Sequence, residues 1–384
     1  MQEVVETEKY TSPTSCLIVA FELSMRTWIL AVKLPTSDKI SQYHVEGGDT
    51  GAVLALIQRA RSKASEALGE PVAVVSCYEA GRDGFWLHRL LGEHDVRNLV
   101  IDAASIHVSR RARRAKTDRL DADSLVRVLM AYCRGERKAC SVLRIPSVAE
   151  EDAKRQTRER GRLVTARTGH VNRIKGLLIT QGIRHLDPLR PDFPARLALA
   201  RTGDGRTIGP GLLAELLREW ERLQLVTSMV RAIERERDAP RTEETALRSP
   251  EAKIERLQQL RGIGPAFATV LTREVFYRSF DNRRQLGSYI GLAPTPFNSG
   301  SMRRDQGISK SGNPRARSTA VELAWLWLRH QPESDLSQWF HARVGQLAGG
   351  VRKVAVIAVA RKLIIALWRY LETGLVPTGA TFKT

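Results

Sequence analysis

Cysteine is scarce. Cys16, Cys77, Cys133 and Cys140 are the whole complement in 384 residues, with no CxxC pair and no metal-ligand spacing. That argues against a cysteine-ligated metal and points to reduced, buried thiols of a cytoplasmic protein. The eight histidines are scattered, which argues against a histidine-ligated site. Long apolar runs are missing as well. The most apolar stretch, Val351 to Leu371, is broken by Arg352, Lys353, Arg361, Lys362 and Arg369, and its longest clean run is Val354 to Ala360. A bilayer span needs roughly 20 apolar residues, so a membrane protein is not expected. The opening MQEVVETEKY has neither a basic n-region nor an apolar h-region, so no signal peptide is expected either.

What is abundant is positive charge. Lys and Arg number 61 against 42 Asp and Glu, a formal net charge of +19. Hydrophobic residues at 42% and charged residues at 27% are ordinary globular values, which excludes wholesale disorder. A surplus of this size in a folded chain implies a polyanionic partner, and with the membrane set aside that means nucleic acid. The surplus is regional: residues 1–100 carry slightly more acid than base, whereas 109–175 are strongly basic and include RRARRAK at 110–116.

Hydrophobic patterning gives the organisation. Beyond about ten residues expected to be disordered, Cys16–Phe21, Trp28–Leu34 and Ile40–Val45 read as strands. Thr50–Leu68 reads as a helix, Pro71–Ser76 as a buried strand, Gly84–Glu93 as a helix and Val96–Ile101 as a fifth strand. Three strands followed by alternating helices and strands is the order of a ribonuclease-H-like α/β layer. A helix is expected over Thr117–Arg134 and a long basic helical zone over Ser147–Gly182. Asp187–Gly211 reads as an irregular connection. Leu212–Asp238 reads as an amphipathic helix, either a core helix or a coiled-coil arm. From about Pro250 an α-rich region follows, closing on two apolar helices near Ser318–Leu347 and Val351–Leu371. The expected division is therefore a disordered N-terminus (1–14), an α/β domain (15–146), a basic helical and coiled-coil region (147–249) and an α-rich domain (250–384).

Two constellations carry chemistry. Glu22 follows the first apolar strand, Glu79 follows the PVAVVS strand, and Asp118 and Asp121 stand three apart in KTDRLDAD, on one side of a helix. Carboxylates meeting at strand ends and a helix start would make the oxygen cluster that Mg²⁺ and phosphoryl transfer require. The bland alternative is solvated strand ends and acids complementing a helix dipole. The second constellation is C-terminal. LRGIGPAFATVL (260–271), with Gly262 and Gly264 before Pro265, has the form of a helix-hairpin-helix, whose free N–H groups can hold a DNA phosphate. Downstream, GLAPTPFNSGSMRRDQGISKSGNPRAR (291–317) reads as a basic Gly/Ser-rich loop. Its serines 299, 301, 309 and 311 stand among Arg303, Arg304 and Lys310, cations able to orient a phosphate for a hydroxyl nucleophile. Spacing alone does not choose among the serines, and a loop that merely contacts DNA backbone is the alternative.

In this order and spacing, AFELS (20–24), YEAG (78–81), KTDRLDA (116–122), LRGIGP and GLAP…SG…GISKSGN resemble the bridge-RNA-guided insertion-sequence transposases. These are DEDD-type serine recombinases with a RuvC-like N-terminal domain and a C-terminal transposase domain. The resemblance covers nearly the whole chain. It implies that Glu22, Glu79, Asp118 and Asp121 are the four acidic metal ligands, that Mg²⁺ is the cofactor, and that Ser299 is the nucleophile forming a phosphoserine link to DNA. The first acid is usually Asp and is Glu here; the added methylene moves that carboxylate by about an ångström in a site where Mg²⁺ demands near-octahedral geometry. The resemblance further implies donor and target DNA, a structured noncoding bridge RNA, a homo-oligomer (dimer or tetramer), and action in the bacterial cytoplasm at the nucleoid. The expected nucleic-acid contacts are Arg110, Arg111, Arg113, Arg114, Lys116, Arg155, Arg158, Arg162, Gly262, Gly264, Arg303, Arg304 and Lys310. A Mg²⁺-dependent junction nuclease and a non-catalytic nucleic-acid-binding protein are the competing functions.

Overall fold

The computed structural model describes residues 16–106, 118–239, 249–299, 302–345 and 349–383, apart from the side chains of 118, 119, 297–299 and 302–306. The chain divides into two compact units, Met1–Ile145 and Pro146–Thr384.

The first unit is built on a five-stranded sheet. Its strands are β1 (Leu17–Glu22), β2 (Thr27–Lys33), β3 (Ile40–Glu46), β4 (Val74–Glu79) and β5 (Val96–Ile101), in spatial order β3-β2-β1-β4-β5. The first three pair antiparallel, while β1, β4 and β5 run parallel. The central β1, LIVAF, is apolar throughout because both of its faces are covered. Leu17, Val19 and Phe21 face a core shared with α1 (Thr50–Leu68) and α2 (Trp86–Glu93), while Ile18 and Ala20 face α3 (Asp118–Cys133). Edge strand β3, ISQYHVE, is the polar one, as an unpaired edge requires. The fourth strand lies three residues later than PVAVVS suggests. Its apolar run continues through Cys77 and Tyr78, which pair with β1, so Glu79 is the strand's last residue rather than its successor.

In the second unit the basic zone is two helices, α4 (Val148–Asp152) and α5 (Arg155–Thr180), and the irregular connection contains a short α6 (Phe193–Leu199). Helix α7 (Pro210–Asp238) packs along α5. Arg160 meets Glu234, His170 meets Glu219 and Arg173 meets Glu215, so one number rises as the other falls and the pair is antiparallel. Leu216, Leu223 and Val230, buried at seven-residue steps, form its seam. The coiled-coil periodicity is thus used within the chain.

A further core gathers α8 (Pro250–Gln259), α9 (Pro265–Glu274), α10 (Arg283–Tyr289), α11 (Pro314–His330), α12 (Asp335–Val344) and α13 (Gly350–Thr373) around the fully buried Trp327. The expected helix over Ser318–Leu347 is two helices. Pro332 cannot continue the first, and the Ser334 side chain caps the second by accepting from the Ser337 N–H. The expected loop at 291–317 is largely a hairpin of β6 (Pro294–Ser299) and β7 (Met302–Ile308). Among the described residues, no helix is long and apolar enough to cross a membrane.

Candidate functional site

Side chains alternate along a strand, so Glu22 shares the face of Ile18 and Ala20, and Glu79 that of Val75 and Cys77. This is the face covered by α3. The two glutamates end adjacent parallel strands, one residue beyond the Phe21–Tyr78 pairing. Helix α3 runs antiparallel to both strands. Its middle lies over Cys77, whose Sγ reaches the Leu125 carbonyl at 3.9 Å. Its far end, Cys133, lies beside Cys16 and Arg97, where β1 and β5 begin; burial pushes that thiol up, Cys16 adds to the rise and Arg97 opposes it. The first turn of α3, with Asp118 and Asp121, is therefore at the end of the sheet where Glu22 and Glu79 stand. Small residues allow the close approach: Ala20 and Ala31 lie under the helix and Ala122 on it, all fully buried.

Three of the four acids expected from sequence thus have described side chains at one end of one sheet face. Glu79 is exposed and Glu22 and Asp121 are half-buried. Asp118 begins the helix and its side chain is outside the described atoms. Among the described residues no three His, Cys, Asp or Glu side chains form a ready metal cluster. Asp123, next on the helix, accepts from the Gln42 amide at 2.6 Å and so ties α3 to β3.

In the second unit Ser299 is the last residue of β6, paired across the hairpin with Met302; Arg303 and Arg304 pair with Asn298 and Phe297. The strands hold 299, 303 and 304 at the far end of one ribbon. Lys310 is exposed just past β7, in a left-handed conformation at φ 56°, its N–H bonded to the Gly291 carbonyl. The motif glycines anchor the hairpin's base. Gly312, at φ 77°, would with a Cβ meet the Tyr289 carbonyl carbon at 2.9 Å and the Ser288 oxygen at 3.1 Å. Arg317 Nη1 donates to the carbonyls of Ile290, which precedes GLAP, and of Ser311 in SGN.

Sequence reasoning missed Glu274. It is 1% exposed at the end of α9 and accepts two hydrogen bonds from Arg158, at 2.8 and 3.0 Å, and one from Asn313 Nδ2 at 3.1 Å. A lone acid closing an apolar helix gives no signal. Asn313 could have been found, since Asn before Pro is a helix-start signature; its Oδ1 caps α11. Arg158 is therefore engaged by Glu274, whereas Arg155 lies largely exposed beside Asp152 and Arg162 is exposed. Arg110, Arg111, Arg113, Arg114 and Lys116 lie outside the described residues.

Gly262 and Gly264 lie in the turn between α8 and α9. Gly262 has φ 89°, and a Cβ there would meet the His330 Cβ at 3.0 Å. Gly264 caps α9 without a side chain. The turn is held by the chain's own tail: Arg261 N–H donates to the Thr381 carbonyl, Lys383 Nζ donates to the Ile263 carbonyl, and buried Gln331 donates to both Arg261 and Thr381.

Over these elements the chain is similar to known proteins. Residues 254–337 match the family described as Transposase IS116/IS110/IS902. The Sinorhizobium fredii protein y4rJ, named as a transposase, is 45% identical over 96% of this chain and 95% of its own length. The chain belongs to the IS116/IS110/IS902 transposase family. Its activity class is accordingly DNA transposition. More distant members are similar over less of the chain. A Pseudomonas aeruginosa protein named as a family 20 transposase is 28% identical over 79% of this chain and 85% of its own. The transposase for insertion sequence element IS1111A of Coxiella burnetii is 26% identical over 69% of each. The matched segment spans α8 through the hairpin into α12, and so includes the Gly262 turn, Glu274, Ser299 and Asn313.

Proposed function

We propose that this transposase is a serine recombinase with a DEDD-type acidic centre, guided by a structured bridge RNA and acting on donor and target DNA as a homo-oligomer in the cytoplasm. The observation that carries the reading is the antiparallel run of α3 across β1 and β4, which brings the start of the helix to the strand ends of Glu22 and Glu79. The strand order, three antiparallel followed by two parallel, supports a ribonuclease-H-like, RuvC-like first unit. The turn between α8 and α9 supports a helix-hairpin-helix.

An all-carboxylate set on one sheet end is the hard-oxygen donor chemistry that suits Mg²⁺. Glu22, Glu79, Asp118 and Asp121 would hold it, and it would supply charge stabilisation at phosphate oxygens. Ser299 is the nucleophile. Its Oγ–phosphorus bond forms as one DNA phosphorus–oxygen ester bond breaks, the serine's proton passes to solvent and the leaving oxygen takes one up. The reverse exchange with another strand end rejoins DNA and frees the serine. Arg303, Arg304 and Lys310 offset phosphate charge in this step.

The test uses purified protein with insertion-end DNA and the element's noncoding RNA. Ser299→Ala is expected to abolish both strand exchange and the covalent protein–DNA adduct while nucleic-acid binding survives. Normal cleavage by Ser299→Ala would transfer the reading to a metal-dependent nuclease. Full activity after replacing Asp118 and Asp121 by Ala would remove the acidic centre from the chemistry.

A further inference from the structure

A second candidate site lies inside the second unit, where α5, α7, α9 and α11 meet around a small cleft of about 30 Å³ that is partly continuous with solvent. Three arginines from three helices line it: Arg160, Arg237 and Arg315. Gln156 and Thr157 add polar groups, Ile233 and Val270 add apolar walls, and the first turn of α9 closes one side at Ala266.

The charges here do not balance. Glu234 answers Arg160, Asp238 answers Arg237 and Glu274 answers Arg158. Among the described residues no carboxylate hydrogen-bonds Arg315; its Nη2 donates instead to the Thr157 carbonyl. Four guanidiniums therefore share three carboxylates. Two guanidinium nitrogens are buried without any hydrogen-bond partner, Arg315 Nε and Arg237 Nη1, on two different residues of the same cleft. Leaving a buried charged donor unsatisfied is costly, and such groups in a folded protein call for an explanation such as an ion. Burial holds the Arg315 guanidinium below its ordinary pKa; Glu274 opposes this, while Arg158 and Arg160 add to it. The backbone has made room for the arrangement. At Gly161 on α5, a Cβ would lie 2.9 Å from Arg315 Nη1, so any larger residue would push the guanidinium away.

We infer that this cleft is an anion site that takes one phosphate group, held by the guanidinium groups of Arg160, Arg237 and Arg315 that line it. Guanidinium forks from separate helices suit a tetrahedral oxyanion, which accepts several charge-assisted bonds from different directions. The phosphate is either a nucleic-acid backbone group or free inorganic phosphate.

The experiment is thermal unfolding of the full chain in chloride and in inorganic phosphate at matched ionic strength. Phosphate is expected to raise Tm saturably, by about 5 °C once it is ~100-fold above its dissociation constant. Arg315→Met and Arg237→Met are expected to lose that rise. In chloride, Arg315→Met should be at least as stable as the parent, because it removes a half-buried charge that lacks a carboxylate partner. If one variant fails to fold, the other carries the readout from its separate helix. Equal Tm in the two salts, or a phosphate response retained by the variants, would overturn the site. A second measurement separates the sources. With a DNA oligonucleotide, a backbone phosphate predicts that Arg315→Met lowers the salt slope of binding by about one and that inorganic phosphate competes. An unchanged slope beside a phosphate-dependent Tm rise assigns the site to free phosphate.

Discussion

Replacing Arg158 by Met strips two hydrogen bonds from a carboxylate that is 1% exposed, leaving Glu274 with the Asn313 amide. Removing one member of a buried ion pair costs about 3–5 kcal/mol, because a charge stays behind in the interior. The Arg158 side chain is 55% exposed, so solvent screening lowers the figure to about 2 kcal/mol. The pH dependence supplies a signature. In the native protein burial pushes the Glu274 carboxyl up, but the Arg158 hydrogen bonds and charge, with Asn313, outweigh it and hold it below its ordinary value. Its contribution is therefore present above the unfolded carboxyl value, about 4.3, and is lost as pH falls through the lower folded value. In Arg158→Met burial is opposed by less, the Asn313 hydrogen bond and the Lys154 charge, so the folded value rises and protonation relieves the buried charge. The deficit should be largest near pH 7 and shrink as pH falls below about 5. Five of the seven tryptophans lie in the second unit, so urea unfolding followed by fluorescence reports mainly on it. Adding Glu274→Gln to the variant should restore about 1 kcal/mol at pH 7. A change under about 0.5 kcal/mol, together with a fall in nucleic-acid affinity, would refute the structural role and return Arg158 to phosphate contact.

Other expectations follow from the packing. Gly312→Ala puts a Cβ into the Tyr289 backbone at a left-handed φ and should destabilise by at least ~2 kcal/mol, read by urea unfolding; a neutral result would mean that the hairpin's base is loosely held. Ala20→Leu overfills the space under α3 at a cost of about 1–3 kcal/mol, and strand exchange should fall further than the folded fraction measured by circular dichroism. His88 sits beside Asn98, which bonds buried Ser76. Burial holds its imidazole below the ordinary value, partly offset by Asn98, so the first unit should lose stability as pH falls from about 6.5 through the lower folded value. His88→Leu should remove that slope in acid titrations followed by near-ultraviolet circular dichroism.

Local pattern made most of the elements legible. An apolar run such as LIVAF reads as a buried strand wherever it stands, and the spacing of Asp118 and Asp121 assigns them to one side of a helix by periodicity alone. Where pattern misled, pairing or a chain break decided. The fourth strand slid three residues because Tyr78 has a partner in β1, Pro332 divided one expected helix, and a Gly-rich basic segment formed a ribbon because two stretches of it pair with each other.

The charge surplus and its regional concentration, the scarcity of thiols and the order of strands and helices belong to the sequence by itself, because each depends on residues close together in the chain. The tertiary structure alone decided which charges neutralise one another. Arg158 and Glu274 are 116 residues apart, and so are tied only by helix packing, while Arg160, Arg237 and Arg315 share a cleft only because three helices converge there. It also decided that α3 runs back across the sheet, since the helix must bury Ala122, Leu125, Val126 and Leu129 against β1, β2 and β4. That burial of apolar area, a property of the folded layers and not of any one segment, is what carries two aspartates to the strand ends of two glutamates.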